Sequence, residues 1–479
     1  MKIGGAKGLR NITSRALESG RRFSAVGLFG SVPFYALLVA IAIFSIPYGA
    51  VGTSYKSLLV LVVSVIAGFR IIDGFASRSL RIAEPRLLAP LFGILGLAIL
   101  QTVQWPGAAS AISVDPYETK SFILIFAAVV VTAEVLFFYT TTAHRLKCLV
   151  VLVIAVGTGS AVFGLLREFY FDSQSAWLAG YLFPKQGFAQ FINRNHFALL
   201  IEMAFGLLLG ILLKGDFSEK FKFFGWVLAA VMGYSMIAAN SRGGLVSMAA
   251  LILFAVAVHM MTREATSRGI RKELQSKFLE SMTYVRKIGA AAGILVTVAG
   301  LIVVVIAFVG GETTVTRFEK LKGEFETTNN AGVNRNLIWQ ATFEMFESNP
   351  IFGVGFGGYG TAIPKFEPSG GKYRLQQAHN DYLEILSNGG IVGFALFALF
   401  AGIVVRRASK NLTSGNRFRR TICFGSAIGI FGVLVHSLVD FGLHIPVNAF
   451  TFAVLIVIAT VKVREATTER NEVLRAQAV

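Results

Sequence analysis

Apolar stretches of about 18 to 22 residues, separated by short polar segments, recur along almost the whole chain, and each is long enough to cross a bilayer as a helix. They fall near 29–48, 56–72, 87–105, 121–139, 148–166, 196–213, 223–240, 243–261, 288–310, 389–405, 421–440 and 447–462. The pattern predicts an all-α polytopic membrane protein with about 12 transmembrane helices. The 223–261 stretch holds two spans only if the chain turns sharply at Asn240-Ser241-Arg242-Gly243-Gly244.

What lies between the spans is uneven. Residues 1–28 form a basic cytosolic N-terminus, 29–310 carry spans one to nine, 389–462 carry spans ten to twelve, and 463–479 form a cytosolic tail. Residues 311–388 form one large outer loop, too long for an idle connection. That loop is rich in aromatics and has a helical apolar period from Leu337 to Phe346. A second outer loop, about 167–195, is shorter and also aromatic, while the basic loop 262–287 reads as a solvated inner helix near anionic headgroups. No internal repeat and no low-complexity tract is present.

Composition agrees with this picture. Of the 479 residues 54% are hydrophobic and only 15% charged, against about a quarter charged in soluble domains. A soluble enzyme, a secreted disulfide scaffold and a disordered chain are thereby excluded. The net charge of +18 points to orientation rather than to nucleic acid, because most of the Lys and Arg fall in segments that an N-terminus-inside topology places in the cytosol. Both termini are then cytosolic, and the partner is the lipid bilayer. Cys148 and Cys423 lie at inner span ends and read as inert packing.

Several polar residues stand where chemistry would need them. Arg242 sits between two spans with almost no loop, followed by glycines that permit close approach. Arg335-Asn336-Leu337-Ile338-Trp339 opens a helix that ends at Asn349-Pro350. The run Gly353-Val354-Gly355-Phe356-Gly357-Gly358-Tyr359-Gly360 contains GxGxxG but lacks a βαβ frame, so it reads as a tight turn and not as a dinucleotide site. His379 leads a stretch, Ala378 to Gly390, that reads as a helix with His379, Leu383 and Leu386 on one face. A histidine just above the outer membrane surface can exchange a proton at neutral pH.

Arg194 and His196 precede a span and suit an anionic headgroup or a helix cap. His436, Asp440 and His444 recur at i, i+4 and i+8, the spacing of one helical face, as a metal site or a polar cavity lining. Asp381 and Glu384 are poorly spaced to orient His379 on a helix. No GxxxxGK[ST] and no HExxH occurs.

The combination of SRGG at 241–244, RNLIW at 335–339, NPIFGVGFGGY at 349–359, HNDYLEILSNGGIVG at 379–393 and SLVDFGLHIPVNAF at 437–450 resembles the O-antigen ligase and O-antigen polymerase superfamily. The resemblance covers roughly 186–460. It implies a GT-C-like membrane glycosyltransferase of lipopolysaccharide or exopolysaccharide synthesis in the bacterial inner membrane, whose loop 311–388 is periplasmic and catalytic and contains short helices. Its donor would be a lipid-linked oligosaccharide on undecaprenyl diphosphate, and its acceptor the lipid A core (ligase) or another carrier-linked glycan (polymerase), with neither metal nor cofactor. The resemblance makes His379, Arg242 and Arg335 catalytic and Arg194, His196, Asn380, Tyr382 and Asp440 substrate-binding. A transporter of the same lipid-linked sugar would instead show repeated halves and charges at the bilayer midplane.

Overall fold

The computed structural model describes residues 30–78, 80–104, 106, 110–169, 187–215, 217–268, 335–367 and 375–462, without side chains at 261–268 and 336. Eleven of the twelve apolar runs are helices there; the twelfth, 288–310, lies outside the described residues, as do most of the basic loop 262–287 and both terminal segments. In chain order these helices are α1 Val32–Phe44, α2 Thr53–Ala76, α3 Pro85–Thr102, α4 Pro116–Tyr139, α5 Ala143–Phe169, α6 Arg194–Lys214, α7 Glu219–Ala239 and α8 Arg242–Arg268. Then follow α9 Arg335–Ser348, an amphipathic helix of the long loop, and the last three apolar helices, α10 Asp381–Leu412, α11 Arg417–His436 and α12 Pro446–Thr460. Among the described residues nine helices are long and apolar enough to cross a membrane.

Two runs give shorter helices than their hydropathy predicts. α1 has 13 residues and α12 has 15, against the roughly 20 that span a hydrocarbon core. Pro47, which has no N–H to donate, stands just past α1 and forbids its continuation, whereas Pro446 occupies the first position of α12 and fixes where that helix starts. Elsewhere polar caps start the helices where the sequence turns apolar. The side chains of Asp115, Asn193, Ser218, Asn380 and Asn416 accept backbone N–H groups at the starts of α4, α6, α7, α10 and α11. The sharp turn expected between α7 and α8 is present: α7 ends at Ala239, Asn240 adopts φ 52°, and α8 begins at Arg242.

α6 is the axis of the bundle, and its side chains from His196 to Leu212 are buried. It packs most extensively against α11, and also against α5, α7 and α8. Two glycines on each partner explain the intimacy of the α6–α11 pair. A Cβ on Gly206 would lie 2.6 Å from the backbone nitrogen of Gly429, and one on Gly210 would overlap the backbone of Gly425. Each helix therefore offers a small-xxx-small stripe, which in a membrane lets backbones meet without a hydrophobic driving force.

α10 is broken near its start. Gly390 has φ 62° and ψ −167°, and the amides of Ile391 and Val392 donate to the carbonyls of Pro350 and Ile351 instead of continuing the first segment. Buried Gln101 of α3 locks this junction, donating to the carbonyls of Phe352 and Asn388 at 2.6 and 3.0 Å and accepting from the amide of Phe356. The glycine-rich run is the tight turn its sequence predicts, with Gly353, Gly355 and Gly357 all at positive φ. With α9 it forms a small apolar core of its own, including Ile338, Met345, Tyr359 and Ala378.

Replacing Gly206 by leucine should prevent the α6–α11 contact, and Gly206→Ala should cost about 1–3 kcal/mol through overpacking. Gly402→Ala, where no atom lies within 4 Å of the added carbon, should be neutral. Thermal unfolding of the detergent-solubilised variants, followed by size-exclusion chromatography, measures the difference.

Candidate active site

The first residues of α6, α8, α10 and α12 and the last of α11 meet at one end of the bundle. The ties are specific: Ser241 Oγ donates to Asn195 Oδ1 at 2.8 Å, the Asp381 amide to the Ser437 carbonyl, and Asn448 Nδ2 to the His196 carbonyl. α9 joins through the indole of Trp339, which donates to the carbonyl of Ala378 at 3.1 Å.

His379 does not lie on the helix expected for it. It precedes α10, in the left-handed region at φ 51°, and Asn380 is the N-cap, its side chain accepting from the amides of Tyr382 and Leu383. Asparagine caps more strongly than histidine can, so the helix starts two residues later than its apolar period suggests. His379 is one-third exposed, and its Nδ1 lies 3.3 Å from Oδ1 of Asp440, which is buried. His436, Asp440 and His444 likewise do not share a helical face. α11 ends at His436, whose carbonyl accepts the amides of Val439 and Asp440, and His444 closes a separate 3-10 turn.

Asp440 sets the electrostatics. Burial alone would raise its pKa, but the bond from His379, the neighbouring His196 and His436 and the amide of Phe441 outweigh it and hold the carboxyl down at about 2. An ionised carboxylate only accepts hydrogen bonds, so the facing Nδ1 of His379 is the donor of this bond, which in the neutral ring leaves the lone pair on Nε2. The ring of Phe441 fixes the surroundings edge-on, 4.8 Å from His379, 4.9 Å from His196 and 6.0 Å from His444. His444 Nε2 stands 3.6 Å from Asp381 Oδ1 and 3.4 Å from Glu384 Oε1, while Glu384 Oε2 accepts the Ala378 amide.

Two of the cationic residues stand beside this pair, and the third lies on α9. Arg242 is exposed at the first turn of α8, and Arg194 donates to the Asn240 carbonyl at 3.4 Å, in the same α7–α8 turn. A Cβ on Gly243 would touch Val439 at 3.1 Å, so the Arg242 turn packs directly on the Asp440 turn. Arg335 is exposed at the first position of α9, one helical turn before Trp339. Asn380 and Tyr382 spend hydrogen bonds on the protein itself, Tyr382 donating to the Leu434 carbonyl at 2.8 Å.

Two groups escaped the sequence reading. Phe441 gave no signal, since its role is geometric. Glu202 did give one, as a lone acid inside an apolar run: it is fully buried on α6, with Oε1 2.8 Å from His436 Nδ1.

Taken together, helices and site describe a multi-pass membrane protein with a histidine–carboxylate pair and exposed arginines at one end. Residues 227–398 match the family model described as O-antigen ligase. The match contains Arg242, Arg335 and His379 and ends within α10. No curated protein matches the chain.

Trp339→Phe should remove the tie between α9 and the histidine loop while keeping the ring. We expect a loss of about 1 kcal/mol, typical of one hydrogen bond, and faster proteolysis of 335–367 in the purified protein.

Proposed function

We propose that the protein is an inner-membrane glycosyltransferase of the O-antigen ligase type, with both termini cytosolic and the site at the periplasmic face. It moves a glycan from a polyprenyl diphosphate to an acceptor hydroxyl, the lipid A core being the acceptor of a ligase. The observation that carries this reading is the His379–Asp440 pair packed against the Arg242 turn at one end of the bundle. The orientation is supported by charge: Arg406 and Arg407 in the last turns of α10 and Arg417, Arg419 and Arg420 in the first turn of α11 lie at the opposite end.

The reaction follows from the groups present. Nε2 of His379 takes the acceptor's O–H proton as its oxygen forms a bond to the anomeric carbon. The bond from that carbon to the phosphate oxygen breaks, and its electron pair leaves with the lipid diphosphate. Asp440 stays ionised and stabilises the imidazolium through Nδ1–H. Arg242 and Arg335 offer planar, permanently charged forks to the diphosphate as charge develops on it. One displacement inverts the anomeric configuration. Arg194 supports the Arg242 turn, and His196 supports the pair through Phe441.

The test is transfer in proteoliposomes and complementation of a deletion strain. His379→Ala should lower transfer by about 100- to 10,000-fold, the range of a lost general base, and Arg242→Ala by about 100-fold or more, both with normal insertion. Uncapped lipid-linked polysaccharide should accumulate; accumulation of single repeat units would instead mean a polymerase, and full complementation would refute the assignment.

In Asp440→Asn the acid limb of the pH–rate profile should move to lower pH, because the imidazolium formed at His379 loses its facing carboxylate. An unmoved limb would detach Asp440 from the base.

A further inference from the structure

A carboxylate lies inside the bundle where the reaction makes no use of it. Glu202, in the middle of α6, is completely buried, as is His436 at the end of α11. An acid within a span is costly, by a few kcal/mol, and marks function by default. Its partners come from two different helices. Glu202 Oε1 accepts from Ser247 Oγ of α8 and lies 2.8 Å from His436 Nδ1 of α11. The Ser247 hydroxyl is also 3.3 Å from His436 Nδ1 and 3.0 Å from the carbonyl of Gly243.

These contacts reach both halves of the site. Through Ser247 and Gly243, Glu202 holds the first turn of α8, where Arg242 stands. Through His436 it holds the residue whose carbonyl accepts the amides of Val439 and Asp440, at 2.9 and 3.1 Å. The two turns also touch each other at Gly243 and Val439. The glycine stripes of α6 and α11 bring the backbones close enough for so short a pair of side chains to meet. The other ionisable groups around His436 and Asp440 include His196 on α6, Asp381 on α10, His379 and His444.

We propose that Glu202 is a positioning residue: with Ser247 and His436 it keeps the Arg242 turn and the Asp440 turn in one register, so that leaving-group stabilisation and acceptor activation stay matched. This rests on the proposed transfer reaction for its consequence, but not for its geometry. A plain interhelical staple would affect stability alone, whereas a positioning residue also changes the environment of His379, which it does not touch.

The test uses wild type, Glu202→Gln and Ser247→Ala in proteoliposomes. Carbethoxylation of His379 is followed by mass spectrometry, with exposed His144, at the start of α5, as the internal standard. In Glu202→Gln the His379 rate should rise severalfold relative to His144, and kcat should fall by about 10-fold with the donor KM nearly unchanged, the scale seen when a partner behind a functional group is lost. Ser247→Ala should move both in the same direction by less, and it decides the matter if Glu202→Gln fails to insert. A lowered melting temperature with unchanged His379 labelling and unchanged kcat would overturn the proposal. Changed labelling in a protein whose wild type transfers no glycan would instead refute the reaction and leave the positioning intact.

Discussion

The contact between α6 and α11 is the constraint on which the rest of the structure depends. Two glycines on each helix remove the side chains that would hold the backbones apart, and the pair becomes the axis around which α5, α7, α8 and α12 are arranged. Because the helices run antiparallel, the N-terminus of α6 and the C-terminus of α11 arrive at the same end. His379, Asp440, Arg242, Arg194 and His196 are tied, directly or through one neighbour, to these two termini or to α8 beside them. The site is therefore a property of the bundle axis more than of the loop that carries its histidine.

At that end the chain manages an unusual density of ionisable groups. Three imidazoles surround the edge of one phenylalanine, and three carboxylates, those of Asp381, Glu384 and Asp440, stand behind them. Each carboxylate has a named donor: Ser437 for Asp381, the Ala378 amide for Glu384, and the Phe441 amide for Asp440. Buried polar groups are tolerable only when so satisfied. The distribution also separates roles, because the acids are buried while Arg194, Arg242 and Arg335 are exposed.

Much of this was legible in the sequence, and for identifiable reasons. Apolar runs of membrane length become helices because lipid offers their backbones no other partner, and the α7–α8 turn was visible as Asn240-Ser241-Arg242-Gly243-Gly244. The errors were local. Hydropathy counts residues without asking whether Pro47 stops the helix before the apolar run does. The apolar period after His379 was real, but the asparagine beside it was the better cap. Gln101 could not be assigned, since its partners, Phe352, Phe356 and Asn388, lie more than 250 positions away in the chain. Glu202 was passed over because one acid hardly alters the mean hydropathy of a span, although its energetic weight there is out of proportion to its count.

The break at Gly390 has a mechanical consequence. The first nine residues of α10 are fastened to Gln101, the Pro350–Phe356 turn and Ser437, whereas the residues beyond the break form the span. A lipid-embedded helix adjusts to bilayer thickness by tilting, and a continuous rod would carry such a tilt straight to its tip. Here the break at Gly390 ends the rod: the amides of Ile391 and Val392 are spent on Pro350 and Ile351, so the direction of the first segment is set by that turn and by Gln101 rather than by the axis of the span.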